Sequence, residues 1–338
     1  MSRAAILNGA KPGAGLREGG RTLIELLIAI ALSLMIVAAV GALYYFTNRS
    51  SQTSQQVSSA EERGRLAAYY LGEPIALAGY GNINSPDTSV RLGNIAMRGP
   101  HLRACENGRF QNMPSVRLGS PPDLTCAPSA LPGDALFVSF QAESTVGAPQ
   151  GVMNDCLGQG APLIDAVPTV RDVFFVNQTA GGALEFGCVG NGGNAFGGLV
   201  RDVQDFKVFF AFDADGYARS GAGSYNITAR PSTIVSATDL NNWWNAILAL
   251  NPNEPEFSQG NPWNHVIAVH VCILVASSEQ GVTPDGVSHF RPCPTTPAEA
   301  ATGMAEVTVN DGIARRTINQ VFTLRSRGQA GAGTSFTP

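Results

Sequence analysis

Between positions 26 and 46 no charged side chain interrupts the chain. Coiled as a helix at about 1.5 Å per residue, that stretch is about 30 Å long, the depth of a bilayer's hydrocarbon core. Leu26-Leu27-Ile28-Ala29-Ile30-Ala31-Leu32 leads into Met35-Ile36-Val37-Ala38-Ala39-Val40, apolar on every side. Such a helix needs lipid or other helices all around it. The bland alternative is the core helix of a soluble protein, although core helices so long and uncharged are rare. Tyr44-Tyr45-Phe46 closes the run as an interfacial aromatic anchor would. No second segment of this kind follows, so one membrane crossing at most is expected.

The pattern then changes. After Asn48 the chain is rich in Ser and Gln, with Val57, Ala60, Gly64, Ala67, Leu71, Ile75 and Ala78 at intervals of three and four. This thin stripe predicts a helix with one packed side and one wet side. The two patterns join into one helix from 21 to about 80, with its transmembrane part at about 26–46. Pro74 should kink or end it, and Gly79 and Gly81 supply a stop. The segment 82–133 reads as loop-rich. Strand-like runs follow at 135–140, 171–176, 184–188, 203–212, 265–276 and 317–325. The run 266–275 is apolar on both faces and should be a central strand. A short helix is predicted at 241–250, with Thr238 or Asp239 as N-cap and Pro252 as its stop. One helix followed by many strands predicts an α+β fold: a long N-terminal helix packed on an antiparallel β-sheet head, 81–338.

Composition narrows the reading. The chain has 338 residues, 44% hydrophobic and 14% charged, with net charge -4. It can bury a core, so wholesale disorder is excluded. The acidic balance argues against direct nucleic-acid binding, which needs a basic surface. The 38 glycines and 21 prolines argue for many turns and against an all-helical head. Before the apolar run, Arg3, Lys11 and Arg17 outnumber Glu18. Positive charge stays cytoplasmic, which places the head outside. A secretory signal peptide begins similarly, but its apolar core is shorter and a small-residue cleavage site follows it.

The junction Gly19-Gly20-Arg21-Thr22-Leu23-Ile24-Glu25-Leu26 resembles the type IV prepilin signal: a glycine, an aromatic residue, then Thr-Leu-Ile-Glu-Leu. Arg21 stands where the family usually has phenylalanine. Further stretches resemble the PilW family of minor pilins. They are Glu61-Glu62-Arg63-Gly64-Arg65-Leu66-Ala67 and Ile75-Ala76-Leu77-Ala78-Gly79-Tyr80, then Asp202-Val203-Gln204-Asp205-Phe206-Lys207-Val208-Phe209-Phe210 and Asp213-Ala214-Asp215-Gly216, and the ending Val321-Phe322-Thr323-Leu324-Arg325-Ser326-Arg327. The resemblance implies a leader, 1–20, that a prepilin peptidase removes after Gly20. Arg21 becomes the new N-terminus, a candidate for N-methylation. Glu25, costly in a bilayer by about 2.5–3.5 kcal/mol when unpaired, would pair with the N-terminal amine of a neighbouring pilin. The reading without a partner is a carboxylate snorkelling to the interface. Implied too are a single-pass place in a bacterial inner membrane with a periplasmic head, and later assembly into a pilus tip. The implied partners are other minor pilins, the major pilin, the inner-membrane assembly platform and a large tip adhesin. A pseudopilin of type II secretion, GspJ-like, is the alternative. A membrane-anchored monomer that binds without assembling is a further one. The choice among twitching, adhesion and DNA uptake stays open.

Six cysteines outside the cytoplasm read as disulfides. Fifteen pairings exist; the simplest joins neighbours, Cys105–Cys126, Cys156–Cys188 and Cys272–Cys293. Asp213 and Asp215 beside Gly216 are weak calcium candidates, since the twelfth-place glutamate of an EF-hand is missing and an ordinary turn explains them. His101, His265, His270 and His289 form no cluster, and the glycines from 190 to 198 read as a flexible loop. No Gly-x-Ser-x-Gly or other nucleophile–base pair occurs, so a structural protein is expected, not an enzyme.

Overall fold

The computed structural model describes residues 22–81, 100–119, 121–142, 153–164, 167–193, 195–214, 233–254, 258, 260–279, 281–283 and 285–324. The chain divides into two compact units, Met1–Ser51 and Gln52–Pro338. Helix α1, Leu23–Leu77, belongs in part to each.

In the first unit the helix is bare. Every large apolar side chain from Leu23 to Phe46 is exposed. The hydroxyls of Ser33 and Thr47 donate to the carbonyls of Ile30 and Leu43 at 2.8 Å, so the helix satisfies its own polar groups. Among the described residues, α1 is the one helix long and apolar enough to cross a membrane.

In the second unit α1 buries Ala60, Gly64, Ala67, Leu71 and Ile75 of the predicted stripe, with Ala68 beside them, while Val57 is only half-buried. Pro74 does not end the helix, which continues to Leu77. The stop is Gly79, at φ 75°. Its amide donates to the Ser139 carbonyl, and the Tyr80 carbonyl accepts from Gln141, so the chain leaves the helix bonded to a strand.

Next come β1 (Leu102–Cys105), β2 (Gly108–Phe110), α2 (Met113–Leu118), β3 (Cys126–Pro128), β4 (Ala135–Gln141), β5 (Leu163–Ile164), β6 (Val167–Gln178), β7 (Leu184–Gly190) and β8 (Gly197–Arg201). After them come β9 (Val203–Phe212), β10 (Thr233–Val235), α3 (Ala237–Leu250), a 3-10 turn (Pro262–His265) and β11 (Val266–Ala276). The last elements are β12 (Ser288–Phe290), α4 (Pro297–Thr302), β13 (Val307–Val309) and β14 (Arg315–Thr323). One sheet orders β1-β4-β6-β7-β8, with β5 on β6; a second orders β10-β9-β11-β14; β2-β3 and β12-β13 are small ribbons. All the pairings are antiparallel. The α+β expectation of a long N-terminal helix followed by antiparallel strands is met. The head holds two main sheets where the expectation named one.

The core explains the sequence patterns. β11 is the inner strand between β9 and β14, and both its faces are covered: Val269, Val271, Ile273 and Val275 lie in the main core, while Cys272 and Leu274 pack with Cys293 and Phe290 on the other side. Phe186 of β7 and Phe206 of β9 meet at 5.1 Å between ring centroids, joining the sheets. The second half of α1 and the inner face of α3 share that core.

Several local expectations are corrected. Helix α3 starts at Ala237, earlier than 241, and its cap is Ser236. The Ser236 hydroxyl accepts from the Asp239 amide while the Asp239 carboxylate accepts from the Ser236 amide, a reciprocal box that Thr238 and Asp239 cannot make alone. Thr238 donates to Glu106 instead. The stretch read as loop contains β1, β2, α2 and β3. Gly197 and Gly198, read as flexible loop, belong to β8, where a Cβ at Gly198 would meet the Glu185 carboxylate. His265 closes the 3-10 turn ahead of β11. β14 runs two residues earlier than the predicted strand at its start.

Candidate functional site

The first candidate surface is the bare part of α1. Glu25 sits in its first turn, its amide donating to the Thr22 carbonyl at 3.0 Å. Among the described residues the Glu25 carboxylate has no hydrogen bond and no ion pair, and the helix around it is apolar. Gly20 and Arg21, where processing is expected, lie outside the described residues.

A second set of contacts fixes the rest of α1 to the head. The Arg63 guanidinium pairs with the Asp202 carboxylate and donates to the Ala276 carbonyl at 3.3 Å. Asp202 is the single residue between β8 and β9, held at φ 60°. Its amide donates to the Leu184 carbonyl, and its carbonyl accepts from the Ala276 amide, both at 2.9 Å. Gly64 lets α1 approach the second sheet: a Cβ there would lie 2.5 Å from Ile318 Cγ1 and 3.3 Å from Val275 Cγ2. At Gly72 the ring of Phe322 takes the corresponding space.

Three disulfides staple the head. Cys105–Cys126 ties β1 to β3, Cys156–Cys188 ties the loop before β5 to β7, and Cys272–Cys293 ties β11 to the chain after β12. The described cysteines are all bonded.

The remaining candidates are dispersed. His101 is buried against Gly79, His265 stands edge-on to Phe212, His270 lies half-buried in β11, and His289 is 3.2 Å from the Thr308 hydroxyl. Burial lowers the pKa of His270. The Asp213 amide donates to the His265 carbonyl. Asp215 lies outside the described residues, so the two acids are not placed together. Among the described residues no group of three His, Cys, Asp or Glu side chains is arranged to hold a metal.

Two features have no clear signature in the sequence. Nothing in the spacing of 139 residues joins Arg63 to Asp202. Asp172 was not singled out, although it interrupts the apolar run Val170-Arg171-Asp172-Val173-Phe174. It is 1% exposed in the middle of β6. Burial pushes its pKa up to about 8, against the Cys156 amide bond that lowers it and with the nearby Asp155 charge that raises it further.

No family model matches the sequence, and no curated protein matches it. Among solved structures, a type IV-like pilin from Thermus thermophilus is similar over 79% of this chain and 97% of its own, at 16% identity and a TM-score of 0.34.

Proposed function

We propose that this chain is a structural subunit of a type IV pilus, a minor pilin of the PilW kind without catalytic activity. The observation that carries the reading is the bare helix: exposed apolar side chains on all sides from Leu23 to Phe46, with one carboxylate, Glu25, in its first turn that has no partner among the described residues. The junction around Gly20 and Arg21 supports it by resemblance. On this reading the peptidase removes residues 1–20, and residues 26–46 hold the subunit in the inner membrane with the head, 81–338, in the periplasm. Assembly then exchanges lipid for neighbouring helices. Each Glu25 finds the free amine of an adjacent subunit, which fixes axial register because an unpaired charge in that setting is costly. A head of this bulk suits the tip of a fibre, where it meets other minor pilins, the first major pilins and a large adhesin. Asp213 and Asp215 remain the candidate calcium ligands.

The test is a clean deletion scored together for sheared surface pili and for secreted enzymes, complemented with wild type or Glu25→Ala. Loss of pili with normal secretion, restored by wild type and not by Glu25→Ala, is the expected result. Normal pili with trapped exoproteins would replace the pilus reading by a GspJ-like pseudopilin. Intact pili and intact secretion would overturn both.

A further inference from the structure

The alternation along β6 puts Val170, Asp172, Phe174 and Val176 on one face, and the three apolar members of that set lie in the main core. Asp172 is thus a carboxyl group set among core side chains. Its Oδ1 accepts from the Cys156 amide at 2.9 Å, and among the described residues that is its one donor. Among the described residues no lysine, arginine or histidine pairs with it. The neighbouring Asp155 is itself occupied, accepting from the amides of Leu157, Gln159 and Gly192. A buried acid with one donor and no cation is costly, and an apolar residue would serve the core better.

Asp172, though only 1% exposed, is among the residues lining an open groove of about 790 Å³ formed by the second half of α1, β4, β6, β14 and the loop before β5. Tyr69, Tyr70, Phe140, Met153 and Phe322 supply the walls. Arg65 at the rim is turned to Glu61, at 2.6 Å, and does not fill the site. Asp155 and Glu73 add two further acids to the lining. A buried acidic acceptor beside aromatic side chains is complementary to a compact cation on an apolar stem. An ammonium needs one oxygen; a guanidinium fork is matched best by two, and one oxygen of Asp172 is already taken by Cys156. An anion would face Asp172, Asp155 and Glu73.

We propose that this groove seats a lysine side chain of a neighbouring protein subunit, its stem against the aromatic walls and its ammonium on Asp172. The inference rests on the reading of the chain as a subunit that docks on others, and it names the place and the chemistry of one such contact. Asp172 holds its proton at neutral pH, so seating the ammonium expels that proton: the carboxylic O–H bond breaks, the proton passes to solvent, and the ion pair forms.

Proton release is therefore the readout. The full chain in detergent is titrated at pH 7 with n-butylammonium, and with n-butanol as the neutral analogue, in buffers of different ionisation enthalpy. The expected result is release of close to one proton per butylammonium bound, falling toward zero at pH 9, with none on butanol binding. In Asp172→Asn, which keeps the shape of the neutral acid, binding should weaken at least tenfold and release no proton. Equal binding to wild type and Asp172→Asn, or binding without proton release, overturns the seat. In cells, benzoylphenylalanine in place of Tyr69 should cross-link to a lysine-bearing segment of another subunit; cross-links confined to the same chain would overturn the partner. A chain absent from pili that still releases the proton would sink the assembly reading and leave the cation seat standing.

Discussion

Arg63 on the long helix pairs with Asp202, the residue at which the chain passes from one sheet to the other. Three layers meet at that point. The Asp202 backbone bonds to Leu184 of one sheet and Ala276 of the second, and Arg63 reaches both Asp202 and the Ala276 carbonyl. The left-handed backbone at Asp202, costly for a residue with a Cβ, is offset by these bonds. Arg63→Ala should therefore destabilise the chain by about 1–3 kcal/mol, the range for removing one partner of a part-buried charged hydrogen bond. Arg63→Lys should recover part of the loss, because it restores the charge and not the planar fork that spans both acceptors. Urea midpoints of the three proteins check the order; equal midpoints for wild type and Arg63→Ala would show that the corner stands without the helix.

The helix approaches the second sheet through Gly64. Alanine is the better helix former by about 1 kcal/mol, yet its Cβ would lie 2.5 Å from Ile318 Cγ1. Overpacking of this kind costs about 1–3 kcal/mol, so Gly64→Ala should be net destabilising. Gly41→Ala, with nothing within 4 Å, should not be. Adding Ile318→Ala to Gly64→Ala should show positive coupling in a double-mutant cycle, measured by thermal unfolding.

Cys156–Cys188 closes a 32-residue loop. Replacing both cysteines by serine should cost about 2–5 kcal/mol, and it should also loosen the turn that presents the Cys156 amide to Asp172. Non-reducing peptide mapping checks the pairing directly. Fragments joining Cys156 to a cysteine other than Cys188 would contradict the structure.

Asp172 gives stability a pH dependence of unusual sign for an acid. The folded chain holds this proton up to about pH 8, whereas an ordinary aspartate releases it near 3.8. Its effect is absent below about pH 4. Between there and pH 8 the unfolded chain binds fewer protons, so the Asp172 contribution falls by about 1.4 kcal/mol per pH unit, then levels off. Asp172→Asn removes that slope. Relative to wild type, the variant should gain stability steadily from pH 4 to pH 8, by an amount denaturant titrations at each pH can read. A difference independent of pH would mean that Asp172 titrates normally.

The long elements were legible in the sequence because one strong pattern governs each. The uncharged run after Glu25, the stripe through Ala60 and Ile75 and the two-sided apolar run of β11 are set by burial over many residues. The short elements were not. β1 carries Arg103 and Cys105 in four residues, and its burial comes from neighbours distant in sequence: Arg103 packs over Trp263 at 5.1 Å. Helix α2 did carry a signal, Asn112 as cap and Pro114 in the first turn, but six residues give no periodicity to read. The start of α3 was misplaced because Thr238 and Asp239 are both good caps in isolation, and only the returning Asp239 carboxylate selects Ser236. Asp202 and Asp172 owe their significance to partners brought close by the fold, and no local spacing announces that.

None of the three disulfides includes a residue of the long helix. If a fibre is pulled, force entering along α1 reaches the sheets through the Arg63 contacts, the Thr53 hydroxyl on the Val282 carbonyl, the Gly64 contact, apolar packing and the backbone bonds of Gly79 and Tyr80 to β4, with no covalent bridge among them. The helix is then the part that can peel away, while the bridged loops withhold separations of 21, 32 and 21 residues from extension. At about 3.4 Å per extended residue, reduction of the three bridges would release about 250 Å of tether that the oxidised head withholds.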